Sequence, residues 1–168
     1  MVAFGHTAIG AIVGYYAFQQ LGDGNPATNL VITGTAGFIS HYIMDCVPHG
    51  HFFRHGEYKS KVLSVIIFDL ALSVILYLAT AYYFSDQNIL FTLFILFGIG
   101  GSQLPDILDG LIYIRVLKAK GILKVENNFH IATHWHGKKN NIILWSLWDI
   151  WQIGFFIFGL YLLITSNI

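Results

Sequence analysis

The chain has 168 residues, 55% of them hydrophobic and only 11% charged, with nine cations balanced by nine anions. Soluble chains carry about 25% charged residues, so this composition excludes an ordinary soluble domain; the net charge of zero says nothing about partners by itself, and no nucleic-acid binding is inferred. A single cysteine, Cys46, excludes an internal disulfide framework and is consistent with a reducing side.

Apolar stretches long enough for a ~30 Å hydrocarbon core recur along the chain. They predict one all-α, polytopic membrane domain over residues 1–168, with about five transmembrane helices. Helix one is expected over Ala3–Leu21, rich in small residues, with Gly10 and Gly14 in a small-xxx-small spacing that lets backbones approach. Gly22-Asp23-Gly24-Asn25-Pro26 reads as a loop. Helix two starts near Thr28 or Asn29 and ends before Pro48. A polar segment, His49 to Lys61, leads to helix three, about Val62–Phe84, apolar apart from Asp69. Helix four is expected over about Ile89–Ile114, kinked or interrupted at Pro105. Arg115 to Asn141 is the longest polar stretch, and its first part reads as a surface-lying amphipathic segment. Helix five, about Ile142–Ile164, carries Asp149 and three tryptophans.

The cations set the topology. Arg54, Lys59 and Lys61 fall in the second loop, and Arg115, Lys118, Lys120, Lys124, Lys138 and Lys139 in the fourth. The other loops and the C-terminus hold none. By the positive-inside rule both basic loops and the N-terminus face the cytoplasm, as in a multi-pass protein of a bacterial or archaeal cytoplasmic membrane.

Within this frame the histidines and carboxylates gather on one side. His41 and Asp45 lie four apart on one helix face, His41 roughly 10 Å deep at the helical rise per residue and Asp45 slightly shallower. His6, Asp69, Asp106 and Asp149 fall at the same end, with Asp109 and His49 slightly shallower. An Asp at mid-bilayer costs ~2.5–3.5 kcal/mol on insertion scales, so such groups are read as functional. Histidine plus carboxylate without cysteine is the ligand set of catalytic zinc, or of manganese or iron. His41-x3-Asp45, His130-x3-His134 and Asp106-x2-Asp109 place neighbours on shared helix faces. There are enough ligands for one or two divalent ions, and two would clamp a phosphoryl group and supply an activated water. Asp109 and His49 are candidate catalytic groups. Asp69 and Asp149 are candidates for orienting ligands. His51, His55 and His136 read as solvated.

Assembled, these motifs resemble the LexA-binding, inner-membrane-associated metal-dependent hydrolase family, and more distantly the zinc-dependent phospholipase C group. The resemblance is carried by Gly5-His6-Thr7 with Gly10, Ser40-His41-x3-Asp45, Leu104-Pro105-Asp106 with Asp109, and Thr133-His134. It implies His6, His41, Asp45, Asp106, Asp109, His130 and His134 as metal ligands. Asp109 stands three residues after Asp106 where the family has a spacing of two, and His130-Ile131-Ala132 stands in place of its His-Arg-Gly.

The expected function is a metal-dependent hydrolase of the phosphoesterase type, acting on a lipid or lipid-linked phosphoester at the cytoplasmic interface. Arg54, Lys138 and Lys139 are candidates for holding an anionic substrate. The alternatives are a metal-binding or transport protein and a non-catalytic structural membrane protein. Transport would need polar groups continuing to the outer side, where Val74–Phe84, Ile89–Phe97 and Phe155–Ile164 are nearly all apolar. The sequence does not set an oligomeric state.

Overall fold

The computed structural model describes residues 3–46, 60–84, 88–133 and 142–165. They are all helical: α1 (Ala3–Leu21), α2 (Pro26–Asp45), α3 (Ser60–Phe84), α4 (Ile89–Tyr113), α5 (Ile122–Thr133) and α6 (Ile142–Ile164). Three details differ from the sequence reading. Helix α2 begins at Pro26, because Asn25 is its N-cap and accepts from the Thr28 N–H at 3.1 Å, with Pro26 in the first turn. Helix α4 runs through Pro105 without interruption. The amphipathic segment continues to Thr133 as a sixth helix, which carries His130.

Helix α4 is the axis of the bundle and packs most extensively against α1 and α2. Glycine makes this possible. A Cβ added to Gly10 would lie 2.6 Å from the Gly98 carbonyl oxygen, and one on Gly37 or Gly101 would run into the backbone of the facing helix. The contact direction also orients the helices. His6 and Gly14 of α1 meet Ser102 and Phe94 of α4, so these two run antiparallel. Gly34 and His41 of α2 meet Phe97 and Ser102, so α2 and α4 run parallel.

The interior is layered. Away from the histidines, Ala8, Ala11, Tyr77, Ala81, Phe91, Ile95, Ile99 and Leu163 form a buried apolar cluster. Next to it lies a hydrogen-bonded relay: Gln103 Nε2 donates to Thr7 Oγ1 at 2.8 Å, Thr7 and Ser73 hydroxyls share a 3.1 Å bond, and Ser73 Oγ donates to the Leu70 carbonyl at 3.0 Å. Beyond it sit His6, His41, Asp45 and His130, all buried.

The outer surface is apolar. Ile43 and Ile75 are 61% and 64% exposed, and every helix from α2 to α6 shows several such side chains, whereas His6, His41 and Asp45 are at 0%. Exposed apolar area on this scale is typical of protein–protein or membrane interaction surfaces. Among the described residues α4 is long and apolar enough to cross a membrane over Ile89–Ile112, and α3 and α6 add the shorter apolar stretches Leu70–Tyr83 and Ile150–Ile164.

The close helix contacts predict an asymmetry between adjacent glycines. Gly101→Ala forces a backbone-to-backbone clash with Gly34, and overpacking of this kind costs ~1–3 kcal/mol. Gly100→Ala meets nothing within 4 Å and should stabilise α4 by ~0.5–1 kcal/mol. Thermal unfolding of the detergent-purified variants checks this, and equal effects would contradict it.

Candidate metal centre

At one end of the bundle, four helices each deliver a side chain to the same point. His6 comes from the first turn of α1, His41 and Asp45 from the last turns of α2, Asp106 from the last third of α4, and His130 from α5. The i,i+4 spacing aims His41 and Asp45 together, with His41 Nε2 3.1 Å from Asp45 Oδ2. His130 Nε2 is also 3.1 Å from Asp45 Oδ2 and 3.6 Å from Asp106 Oδ1. His41 Nε2 lies 4.0 Å from Asp106 Oδ1. On the other side, His6 Nε2 is 3.3 Å from Asp45 Oδ1 and 3.8 Å from Asp106 Oδ2. Each carboxylate thus turns one oxygen toward His6 and the other toward the His41–His130 pair.

The rings are held from behind. His41 Nδ1 donates to the Ser102 carbonyl at 2.7 Å, which has only lone pairs to offer. His130 Nδ1 is 2.8 Å from Asp109 Oδ2, and Asn127 Nδ2 donates to Asp109 Oδ1 at 2.5 Å. These bonds place the ring protons on the Nδ1 atoms, so in neutral rings both Nε2 lone pairs face inward, 3.1 Å apart. Two lone pairs at that distance repel unless a proton or a cation lies between them. Ser102 also donates its hydroxyl to the His6 carbonyl at 2.9 Å, tying α1 to α4 at this level. The His6 and His41 rings stack at 4.0 Å.

The donor set fits a metal. Ligand atoms ~2.0–2.2 Å from a tetrahedral zinc stand ~3.3–3.6 Å from one another, and the separations above, 3.1 to 4.0 Å, bracket that range. His6, His41 and Asp45, and His41, Asp106 and His130, each bring one ligand atom per residue within 4.8 Å of the others. Backing of a ligating histidine by a carbonyl or carboxylate is the usual second layer of such sites. Without a metal, the contacts of His130 with Asp45, Asp106 and Asp109 are ion pairs. There burial disfavours the charge on His130, but hydrogen bonds to Asp109 and Asp45 outweigh it and raise its pKa to about 10.

Helix α5 is docked by three residues of one face: Glu126 accepts from the Tyr42 hydroxyl at 2.8 Å, and Asn127 and His130 both meet Asp109. The side chain of Asp106 is 36% exposed and that of Asp109 25%, while Asp45 is fully buried. The centre therefore opens toward solvent past Asp106.

Of the residues singled out in the sequence, the structure brings together His6, His41, Asp45, Asp106 and His130. Asp109 stands behind His130, on the far side of the ring from the converging atoms, which is the position of an orienting partner. His49, Arg54, His134, Lys138 and Lys139 lie outside the described residues, as do the side chains of Asp69 in α3 and Asp149 in α6. The sequence reading missed Ser102, Asn127 and the Tyr42–Glu126 bond. Asn127 is one turn before His130 on the same face, a signal that was present once α5 is a helix. A backbone carbonyl such as that of Ser102 leaves no trace in sequence.

Comparison with protein-family models, with curated protein sequences and with solved structures finds no match. The site stands on its own geometry.

A metal entering this centre must displace the proton from His130. Because that group's pKa is raised, the proton is held below about pH 10, and its ion pairs with Asp109 and Asp45 are lost as pH rises through that value. Apparent zinc affinity should therefore climb about tenfold per pH unit over roughly pH 6–8, with one proton released per ion. Asp109→Asn should weaken binding ~10–100-fold. Competition with a chromogenic chelator measures both, and a flat pH profile would contradict the ligand role of His130.

Proposed function

We propose that this protein is a membrane-embedded, metal-dependent hydrolase that cleaves a phosphoester of a lipid or lipid-linked substrate at the cytoplasmic face. The observation that carries the reading is the division of the four carboxylate oxygens. Asp45 Oδ2 and Asp106 Oδ1 face His41 and His130. Asp45 Oδ1 and Asp106 Oδ2 face His6, a set of three. Two carboxylates that each offer one oxygen to His6 and the other to the His41–His130 pair would suit divalent ions of the kind that assist phosphoester hydrolysis. Zinc is the first choice for a nitrogen and oxygen set, with manganese or iron next.

Divalent ions held there would polarise a phosphoryl oxygen and make a water nucleophilic near neutral pH. The chain's own groups do the rest. Asp45, fully buried, fixes the geometry of the deep side. His6 supplies only one nitrogen, which leaves coordination space on its side for substrate. Asp106, at the exposed edge, marks where the substrate enters. Both Asp109 oxygens are engaged by His130 and Asn127, which suits positioning better than proton transfer. His49, four residues beyond Asp45, is the proton-transfer candidate that remains.

The membrane part of the reading is five spans, α1 to α4 and α6, with the N-terminus and the centre on the cytoplasmic side. Its supports are the many exposed apolar side chains, the one clear span among the described residues, in α4, and the confinement of all nine cations to two loops. Helix α5 then lies on the interface and carries His130 inward. The resemblance of the motifs to the LexA-binding inner-membrane hydrolases points the same way. On this topology the two cationic stretches of the sequence face the same side as the centre, which suits an anionic headgroup. A cysteine placed at exposed Lys118 should react with an impermeant thiol reagent only from the inner face. Labelling from outside would reverse the topology.

Transport is disfavoured by the apolar layer. A cation leaving the centre toward the far end would meet Phe91, Ile95 and Leu163, with nothing to replace its hydration shell. Purified protein in liposomes should therefore bind zinc and pass none. His41→Ala and Asp106→Ala should lower metal content and remove phosphodiesterase activity by at least ~100-fold together. Asp23→Ala, exposed in the α1–α2 turn, should do neither. Zinc flux that disappears with His41→Ala would establish transport instead.

A further inference from the structure

Helix α5 has two unlike faces. Glu126, Asn127 and His130 turn toward the bundle, where they meet Tyr42, Asp109, Asp45 and Asp106. Ile122, Val125 and Phe129, spaced three and four apart, share another face, and each is more than half exposed. We propose that this second face docks on the anionic bilayer surface beside the bundle, and that docking seats His130 in the centre, so that full metal affinity requires anionic lipid. The proposal rests on the membrane and metal readings above and adds a surface that regulates the site.

Charge says what covers the face. Arg115, Lys118, Lys120 and Lys124 are all exposed, and among the described residues none of them is in an ion pair. Glu126, the one carboxylate between Arg115 and Thr133, is turned inward and accepts from the Tyr42 hydroxyl. The segment thus offers four uncompensated cations together with an apolar stripe, the combination that holds a helix in the headgroup region of an anionic leaflet. The neighbouring surface fits lipid as well. Ile39 and Ile43 flank His41 on α2, Ile107 and Ile114 flank Asp109 on α4, and all four are exposed. Exposed apolar surface therefore reaches the level of the centre, and α5 meets it there with its cations.

What ties α5 to the bundle is mostly polar. The Tyr42–Glu126 and Asn127–Asp109 bonds and the His130 ion pairs are joined by a ring contact, Phe129 edge-on to Tyr42 at 4.9 Å. No side chain of α5 belongs to the buried apolar cluster. A helix of 12 residues is marginal on its own in water. Sinking Ile122, Val125 and Phe129 into the boundary between headgroups and acyl chains supplies the apolar burial that the bundle does not. His130 rides on the same short helix, so whatever holds the helix also sets the fraction of time that ligand is in place.

The test uses the full chain in nanodiscs of phosphatidylcholine alone, or of phosphatidylcholine and phosphatidylglycerol in equal parts. With Cys46 replaced by serine, a bimane is attached at Val125→Cys or at Ile131→Cys, which lies about 120° around the helix. Spin-labelled lipid should quench the Val125 bimane about threefold more in the mixed nanodiscs than in phosphatidylcholine, and the Ile131 bimane little in either. Zinc affinity, read by competition with a chromogenic chelator, should be about tenfold higher in the mixed nanodiscs. Replacing Lys118, Lys120 and Lys124 together by glutamine should remove both effects and leave zinc binding at its phosphatidylcholine level. His130→Ala should remove the affinity gain and keep the quenching. Equal quenching in the two lipids, or an Ile131 bimane quenched as strongly as that at Val125, would overturn the docking. An affinity gain that survives His130→Ala is zinc gathered by the charged surface, and would overturn the coupling. A dimer that Val125→Asn dissociates would give the face to a second copy and overturn the proposal too. The parent readings fail separately. A chain that binds zinc in neither lipid, while its Val125 bimane still follows phosphatidylglycerol, loses the metal centre. One that follows the lipid in both assays yet hydrolyses no phosphoester loses only the hydrolase.

Discussion

Asp45 is a carboxylate with no exposed surface, facing the Nε2 atoms of three histidines from three different helices. Removing such a charge from water costs several kcal/mol unless its partners are well placed, and here each partner has to be brought from elsewhere in the chain. His41 arrives by helical spacing alone. His6 arrives because α1 and α4 approach through Gly10 and Gly98, and Asp106 because α2 and α4 approach through Gly34 and Gly101. His130 arrives on a helix that the bundle does not need for its core. The glycine seams are thus the means by which one buried charge is compensated, and a side chain at Gly10, Gly98 or Gly101 would run into the facing backbone.

The hydrogen bonds behind the rings bear on whether the cluster is a metal centre or a network of internal ion pairs. A self-contained network alternates donors with acceptors. Here the Nδ1 protons of His41 and His130 are committed outward, to Ser102 and Asp109. What faces inward is then two bare nitrogens and the oxygens of Asp45 and Asp106, all acceptors. Without a metal, protons must fill the gap, and each one added puts positive charge on imidazoles that already stack or touch. A divalent cation meets the same acceptors without that crowding.

Much of this was legible in the sequence, and the limits of legibility have physical causes. His41 and Asp45 were readable because periodicity is local and a charged pair in an apolar helix has few explanations. Their convergence with His6 and Asp106 was readable from depth, since helices of known direction turn sequence position into height. His130 was harder. Its segment is polar, and an amphipathic pattern gives a helix without saying which face docks or on what. That decision belongs to Tyr42 with Glu126, and to Asn127 with Asp109, contacts across 84 and 18 residues. Asp109 was read as a ligand because carboxylates near Asp106 attract that reading, and only the ring orientation of His130 moves it one step outward. The N-cap at Asn25 was missed for a smaller reason: Pro26 looked like a loop residue, though its fixed φ suits the first turn of a helix.

The layering of the bundle also explains why one end can be reactive and the rest inert. Several polar groups away from the centre are bonded to one another or to backbone, as in the Gln103, Thr7 and Ser73 relay. That relay joins α1, α3 and α4 just below the centre, where the apolar cluster would otherwise meet charged groups directly. Interhelical hydrogen bonds in an apolar setting contribute on the order of 0.6 kcal/mol each, too little to build the fold but enough to fix helix rotation. Rotation matters more than stability here. A turn of α1 by one residue would carry His6 about 100° away from Asp45, and the relay at Thr7, the residue beside His6, is what opposes it.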